Sequence, residues 1–218
     1  MKTYTINNTP AQPLRSVDFN TAGQGTLTHI RPESSDHHPG VRFTFLHDTR
    51  NLYLQFTVND RYVRVIHNGL QAPVYKDSCV EFFVKPKPDC GYFNFEFNAG
   101  GAMLANYIED PTRTPAGFKK STPLPAELCT KIEIIPSLPR TVNPEISDPL
   151  TWTLSLKISL TVMEPFTGPL TCTPGSIWRG NFYKCGDETS HPHWLSWSPV
   201  KELNFHAPEC FGELQFRA

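Results

Sequence analysis

"CVEFFVK" (79–85) and "YFNFEFN" (92–98) decide the fold. In the second stretch Phe93, Phe95 and Phe97 alternate with Asn94, Glu96 and Asn98. In the first, Val80, Phe82 and Val84 alternate with Cys79, Glu81 and Phe83. A period of two sorts each set onto one side of an extended strand, whereas a helix would scatter both around its circumference. The pattern recurs in both directions. "VRFTFLH" (41–47) and "NLYLQFTV" (51–58) form a hairpin through Asp48-Thr49-Arg50, and Ala99-Gly100-Gly101 turns the chain into "AMLANY" (102–107). "TKIEII" (130–135), "TWTLSLKISL" (151–160), "GSIWRGNFYKC" (175–185), "HWLSWS" (193–198) and "FGELQF" (211–216) complete the series. No window carries a 3.6-residue period, and one short turn near Met163 is cut off by Pro165. About ten or eleven short strands predict an all-β fold, an antiparallel two-sheet β-sandwich. Residues 1–40 and 108–128, rich in Pro, Thr and Gly, read as loops with an edge strand each at most.

With 218 residues the chain suits one domain over 1–218 with a sizeable core. Its 21 prolines and 12% aromatic residues fit strands joined by stiff loops. The 20 basic residues nearly cancel the 21 acidic ones, and the densest basic run is Lys119-Lys120. That balance argues against nucleic acid, whose binders neutralise phosphates, and favours a neutral ligand. No stretch approaches the ~18 apolar residues of a membrane span. The N-terminus lacks the apolar segment of a secretory signal, so a cytoplasmic location is expected, or a secreted or periplasmic one if a leader was removed. Six cysteines without a CxxC spacing read as free thiols, with Cys79 packed inside its strand.

The outer face of an antiparallel sheet commonly meets water, so Glu81, Asn94 and Glu96 are expected on a solvated platform. Tyr75, in "APVYKDSCVE", and Phe205, in "NFHAPECF", stand on loops flanking it. Two aromatics beside carboxylates and amides suit a sugar, whose C–H faces stack on rings while its hydroxyls need donors and acceptors. His206 would be a neighbouring polar contact. Trp194 and Trp197 point to opposite faces by alternation, so Trp197 is assigned to the core and Trp194 to the rim of the site.

"YKDSCVEFFVKP", "YFNFEFNAGG", "WTLSLKISL", "WRGNFYKCGD" and "LSWSPVKELNFHAPECFGELQF" follow one another in an order similar to that of family 9 carbohydrate-binding modules. The resemblance covers about residues 40–218. It implies a jelly-roll-like sandwich that binds a sugar ring or chain end between two aromatics, without catalysis. Tyr75 and Phe205 fall at the two stacking positions, and Glu81 at the glutamate that bonds sugar hydroxyls. The family commonly has Trp at both stacking positions, and its basic residue in the 92–98 strand is replaced here by Glu96. A mono- or oligosaccharide is the implied partner, with a glycoside hydrolase as the associated enzyme and structural calcium as the associated ion. No Asp-rich loop marks a calcium site.

Three other readings compete. A glycoside hydrolase using Glu81 and Glu96 needs its two carboxylates about 5–9.5 Å apart with one pKa raised, and an open sheet offers no means of raising it. A transition-metal site would draw on His37, His38, His191, His193 and His206, which read instead as surface-loop histidines. A structural or protein-interaction sandwich would have lost the groove between Tyr75 and Phe205.

Overall fold

Alternation of β-branched and aromatic residues with polar ones makes strand the dominant state, and prolines confine helix to single turns at Ala126–Cys129 and Glu164–Thr167. A computed structural model describes all 218 residues. In chain order the strands are β1 (Thr3–Asn8), β2 (Gln24–Leu27), β3 (His29–Ile30), β4 (Gly40–His47), β5 (Asn51–Asp60), β6 (Val63–Val65), β7 (Cys79–Lys85) and β8 (Tyr92–Asn98). They continue as β9 (Met103–Thr114), β10 (Gly117–Pro123), β11 (Ile132–Pro136), β12 (Val142–Ile146), β13 (Leu150–Ser159), β14 (Ile177–Cys185), β15 (Trp194–Ser196) and β16 (Gly212–Phe216). No helix is long and apolar enough to cross a membrane.

Fourteen strands join in one large sheet, eleven along the path β10-β9-β8-β7-β14-β16-β1-β4-β5-β13-β11 with β2 added on β4 and β15 and β3 added on β14, and β12 and β6 form a small second sheet. The large sheet folds back on itself at β1, which pairs with β16 through Thr3–Ile6 and with β4 through Asn7 and Asn8. Both pairings are parallel. The expected all-antiparallel arrangement is therefore corrected to a mixed one, and the stretch expected as loop or edge supplies an interior strand. The "TYTINN" segment is short and only Tyr4 and Ile6 are buried apolar residues, so its own pattern is too weak to announce a central strand.

The two halves close on an aromatic core. Phe82 and Phe182 come from one half and Phe43 and Phe45 from the other. Phe43 stacks on Phe182 at 3.7 Å between ring centroids, and Phe45 meets Phe82 edge-on at 5.2 Å. Phe93, Phe95, Phe97, Trp152, Leu154 and Leu156 are all buried in the same core, on the faces that alternation assigns them. Each such side chain contributes about 1.5–3 kcal/mol through apolar burial. Trp197 is buried too, and it explains the glycine of the "FG" pair: a Cβ on Gly212 would lie 2.4 Å from the Trp197 ring.

One polar group crosses this core. Lys184 on β14 points inward and is fully buried, with its ammonium 3.5 Å from the buried Asp60 carboxylate at the end of β5. Trp152 Nε1 donates to Asp60 at 2.9 Å, and Asp60 lies 2.8 Å from His37 Nε2. Lys184 also donates to His193 Nε2 at 2.5 Å. His37 and His193 are thus buried, which corrects their reading as surface-loop histidines. A network joining the two halves of the sheet leaves no trace in local sequence.

Candidate functional site

The opposite faces of β14, β7, β8 and β9 form a floor whose rows follow directly from strand register. One row runs Tyr183, Glu81, Glu96, Leu104; the next runs Asn181, Phe83, Asn94, Asn106; a third places Cys185 opposite Cys79. Over this floor lies a cavity of about 450 Å³. The structure brings all seven residues singled out above to its wall: Tyr75, Glu81, Asn94, Glu96, Trp194, Phe205 and His206.

The floor is not the solvated platform expected. Glu81, Asn94 and Glu96 are only 3%, 1% and 5% exposed, because loops and a hairpin roof the sheet. Phe205 is half-buried rather than exposed. It stacks face to face on Tyr183 at 4.1 Å, while the Tyr183 hydroxyl donates to the Phe205 carbonyl at 3.0 Å. With one face held by Tyr183, the Phe205 ring can offer only its other side to the cavity. Tyr75 sits on the 3-10 turn Val74–Lys76 and is 36% exposed. Its carbonyl accepts from the Asp187 N–H at 3.1 Å, and the Lys76–Glu188 ion pair at 2.8 Å further ties the turn to the loop after β14. Trp194 stands half-buried at the wall and donates to Asp187 Oδ1 at 2.7 Å.

Burial sets the charge of the floor. Desolvation pushes the Glu81 carboxyl well above the ordinary range, and the neighbouring Cys185 and Glu96 add to it. Desolvation lifts Glu96 to about 7, against the pull of an Asn94 hydrogen bond and of Arg113. The two carboxyls are direct partners across β7 and β8, where two full negative charges side by side would repel. Asn94 Nδ2 donates to Glu96 Oε1 at 2.7 Å, and Glu96 Oε2 is buried with no partner. A raised carboxyl pKa, which an open sheet could not supply, is therefore present in this closed one.

His206 packs between Phe83 and Phe118, at 4.8 and 4.4 Å. Burial, then the nearby Arg113 charge, lowers its pKa to about 3, so the ring is neutral near pH 7. The Tyr92 hydroxyl lies 3.0 Å from Nδ1; donating to that neutral nitrogen, it leaves Nε2–H as the ring's own donor.

Several wall residues escaped sequence reasoning. Arg113 and Phe118, from the β9–β10 hairpin, close one side, with the guanidinium 4.0 Å from the Phe118 ring. The segment "PTRTPAGF" reads as loop, which hid them. Leu104 and Asn106 were findable, since they alternate with the buried Met103, Ala105 and Tyr107. Cys185 and Asp187 could have been found only through the pairing of β14 with β7.

Three buried carboxylates elsewhere are taken up by the protein's own donors. Asp48 accepts from the Arg50 and Asn51 N–H groups and from Tyr53, and Asp77 accepts from the Ile66 and His67 N–H groups and from Asn98. Asp60 is taken up as described above.

A profile described as carbohydrate-binding family 9 matches residues 12–216. The chain belongs to that family. The match starts well before residue 40, where the sequence motifs begin, in keeping with the structural role of the N-terminal strands. Among solved structures, a candidate carbohydrate-binding protein from Bacteroides uniformis is 28% identical, with a TM-score of 0.86 and 99% of each chain covered. A family 9 module from Caldicellulosiruptor kristjanssonii in complex with glucose is 13% identical, with a TM-score of 0.62 over 99% of this chain and 96% of that one. The same source provides a complex with cellotriose, at 13% identity and a TM-score of 0.59, covering 99% and 94%. No curated protein sequence matches the chain.

Proposed function

We propose that the chain binds a mono- or oligosaccharide, without turning it over, in the cavity above the Glu81–Glu96 floor. The observation that carries this reading is the shared cavity itself: two loop aromatics, three carboxyls, three amides and a neutral imidazole meet in one space of about 450 Å³. That volume lies within the usual range for small-ligand sites. A pyranose ring would set its C–H face on Phe205 or Tyr75, and its hydroxyls would meet Glu81, Asn94, Glu96 and the His206 N–H. A neutral carboxyl both donates and accepts, which suits hydroxyl partners, and the unpartnered Glu96 Oε2 is one acceptor such a hydroxyl would satisfy. Arg113 supplies the cation missing from the 92–98 strand.

The Caldicellulosiruptor complexes with glucose and cellotriose support the same ligand class. Hydrolysis is disfavoured by placement. A glycosidase pair must flank the scissile bond, whereas Glu81 and Glu96 stand side by side on one floor and would meet the sugar from the same side. Titration calorimetry with glucose, cellobiose and cellotriose tests the proposal. Binding in the micromolar-to-millimolar range is expected, with no reducing sugar released on long incubation. No heat with any of a broad sugar panel, or steady release of product, would reject it.

A further inference from the structure

Beneath the cavity two cysteines face each other across neighbouring strands. Cys79 on β7 and Cys185 on β14 are direct partners in the antiparallel register, and both are buried. Glu81 follows two residues after Cys79 and therefore shares its face. Cys185 Sγ lies 3.1 Å from Glu81 Oε1, and one donor atom from each of Cys79, Cys185 and Glu81 lies within 4.8 Å of the others. Cys185 and Glu81 also line the cavity, so two of the three donors face it, with Cys79 fully buried as the third.

We propose that Cys79, Cys185 and Glu81 form a binding site for a thiophilic divalent cation, zinc above all, set into the floor of the cavity. Two sulfurs and one carboxylate oxygen match a borderline-soft ion and not magnesium or calcium, which take oxygen ligands. With Zn–S near 2.3 Å and Zn–O about 2.0–2.2 Å, a tetrahedral ion holds its donors roughly 3.3–3.8 Å apart, so the trio needs side-chain adjustment only. Three protein ligands leave the fourth position to water or to a hydroxyl in the cavity. The second buried carboxyl of the row, Glu96, has an oxygen with no protein partner and stands opposite Glu81. Binding must displace the two thiol protons and the Glu81 carboxyl proton to water, because thiolate and carboxylate are the ligands, so uptake should strengthen as pH rises.

The other compact donor group, His37, Asp60 and His193, makes no such site. The Lys184 ammonium already sits among those groups, 3.5 Å from Asp60 and bonded to His193, and a second cation there would be repelled.

The test reads metal alone, so its outcome is separate from that of sugar binding. Cobalt(II), a spectroscopic stand-in for zinc, is titrated into the reduced full chain without sugar. One equivalent should produce sulfur-to-cobalt charge-transfer absorption and the visible bands of a tetrahedral site, both bleached by zinc. Cys79→Ser and Cys185→Ser should each remove most of the charge-transfer band and weaken uptake by about tenfold or more. Cys90→Ser and Cys210→Ser, at partly buried thiols outside the trio, should leave both unchanged. Should a serine variant at the site fail to fold, X-ray absorption on the wild-type zinc complex decides: two sulfur neighbours are expected. A shell of nitrogen and oxygen alone would overturn the proposal. So would a band that survives both site substitutions, or fully reduced protein that takes up no cobalt.

Discussion

Glu96 is the residue whose environment departs furthest from what its position in "YFNFEFN" suggests. Alternation places it on the outer face, and outer faces of strands are ordinarily wet; the roof that excludes water comes from other segments, the Tyr75 turn, the β9–β10 hairpin and the loop carrying Phe205 and His206. An acid kept protonated by burial stabilises the fold only while it keeps its proton. That contribution is complete below the ordinary carboxylate value of 4.5 and is lost as pH rises through about 7, and Glu81 acts in the same direction. These two carboxyls should therefore lower the melting temperature between pH 5 and pH 8, by an amount on the order of a few kcal/mol in free energy. Glu96→Gln, which cannot ionise, should shrink that fall and raise stability at pH 8. Scanning calorimetry at the two pH values checks this, and an unchanged slope in the variant would place the titration elsewhere. His206 and His193 are held neutral in the fold, with values of about 3, but are free to protonate near 6.5 once unfolded. They act in the opposite direction below about pH 6.5, so the contribution of Glu96 is read from the difference between the wild type and the variant.

At the scale of elements, the β9–β10 hairpin is the part of the site that sequence reading could not reach. The strands of the floor were legible because each buries one face, and period-two patterning survives wherever a core lies on one side. The hairpin tip has no such side: Arg113 and Phe118 make their contacts with each other, with His206 and with the cavity. Tyr75, Phe205 and Trp194 could be nominated as site residues, but the stacking of Phe205 on Tyr183 and the Trp194–Asp187 bond depend on strand order and were invisible. Arg113→Ala should weaken sugar affinity by about 1–2 kcal/mol through loss of a charged donor, with the melting temperature little changed because the hairpin tip is exposed. Calorimetric titration beside a thermal melt measures both. A variant that binds as well as the parent would remove the hairpin from the site.

For the whole molecule, two sheet halves are held by an aromatic core with one buried ionic crossing. Why β1 joins the halves in parallel is beyond sequence reading, since each of its pairings is with a strand distant along the chain, β16 or β4. The Asp60–Lys184 crossing was equally hidden, because an inward lysine at the end of β14 breaks the apolar pattern that marks a core. Burial works against the Asp60 charge, but Lys184 and His37 together hold its carboxyl well below the usual range. Asp60→Asn leaves the Lys184 charge buried without its partner and should cost about 3–5 kcal/mol. Urea denaturation measures that loss, and a cost under about 1 kcal/mol would mean the lysine escapes to water.

The central claim, a sugar seated between loop aromatics over a buried carboxyl floor, is tested most directly by titrating cellotriose into the wild-type chain and into Tyr75→Ala. Tyr75 is the aromatic to change, since it is exposed and supports no other ring, whereas Phe205 also packs on Tyr183. Wild-type binding between micromolar and millimolar is expected, weakened by about 0.5–1.5 kcal/mol in the variant at an unchanged melting temperature. Binding that is indifferent to Tyr75, or a wild-type chain that binds no sugar, would contradict it.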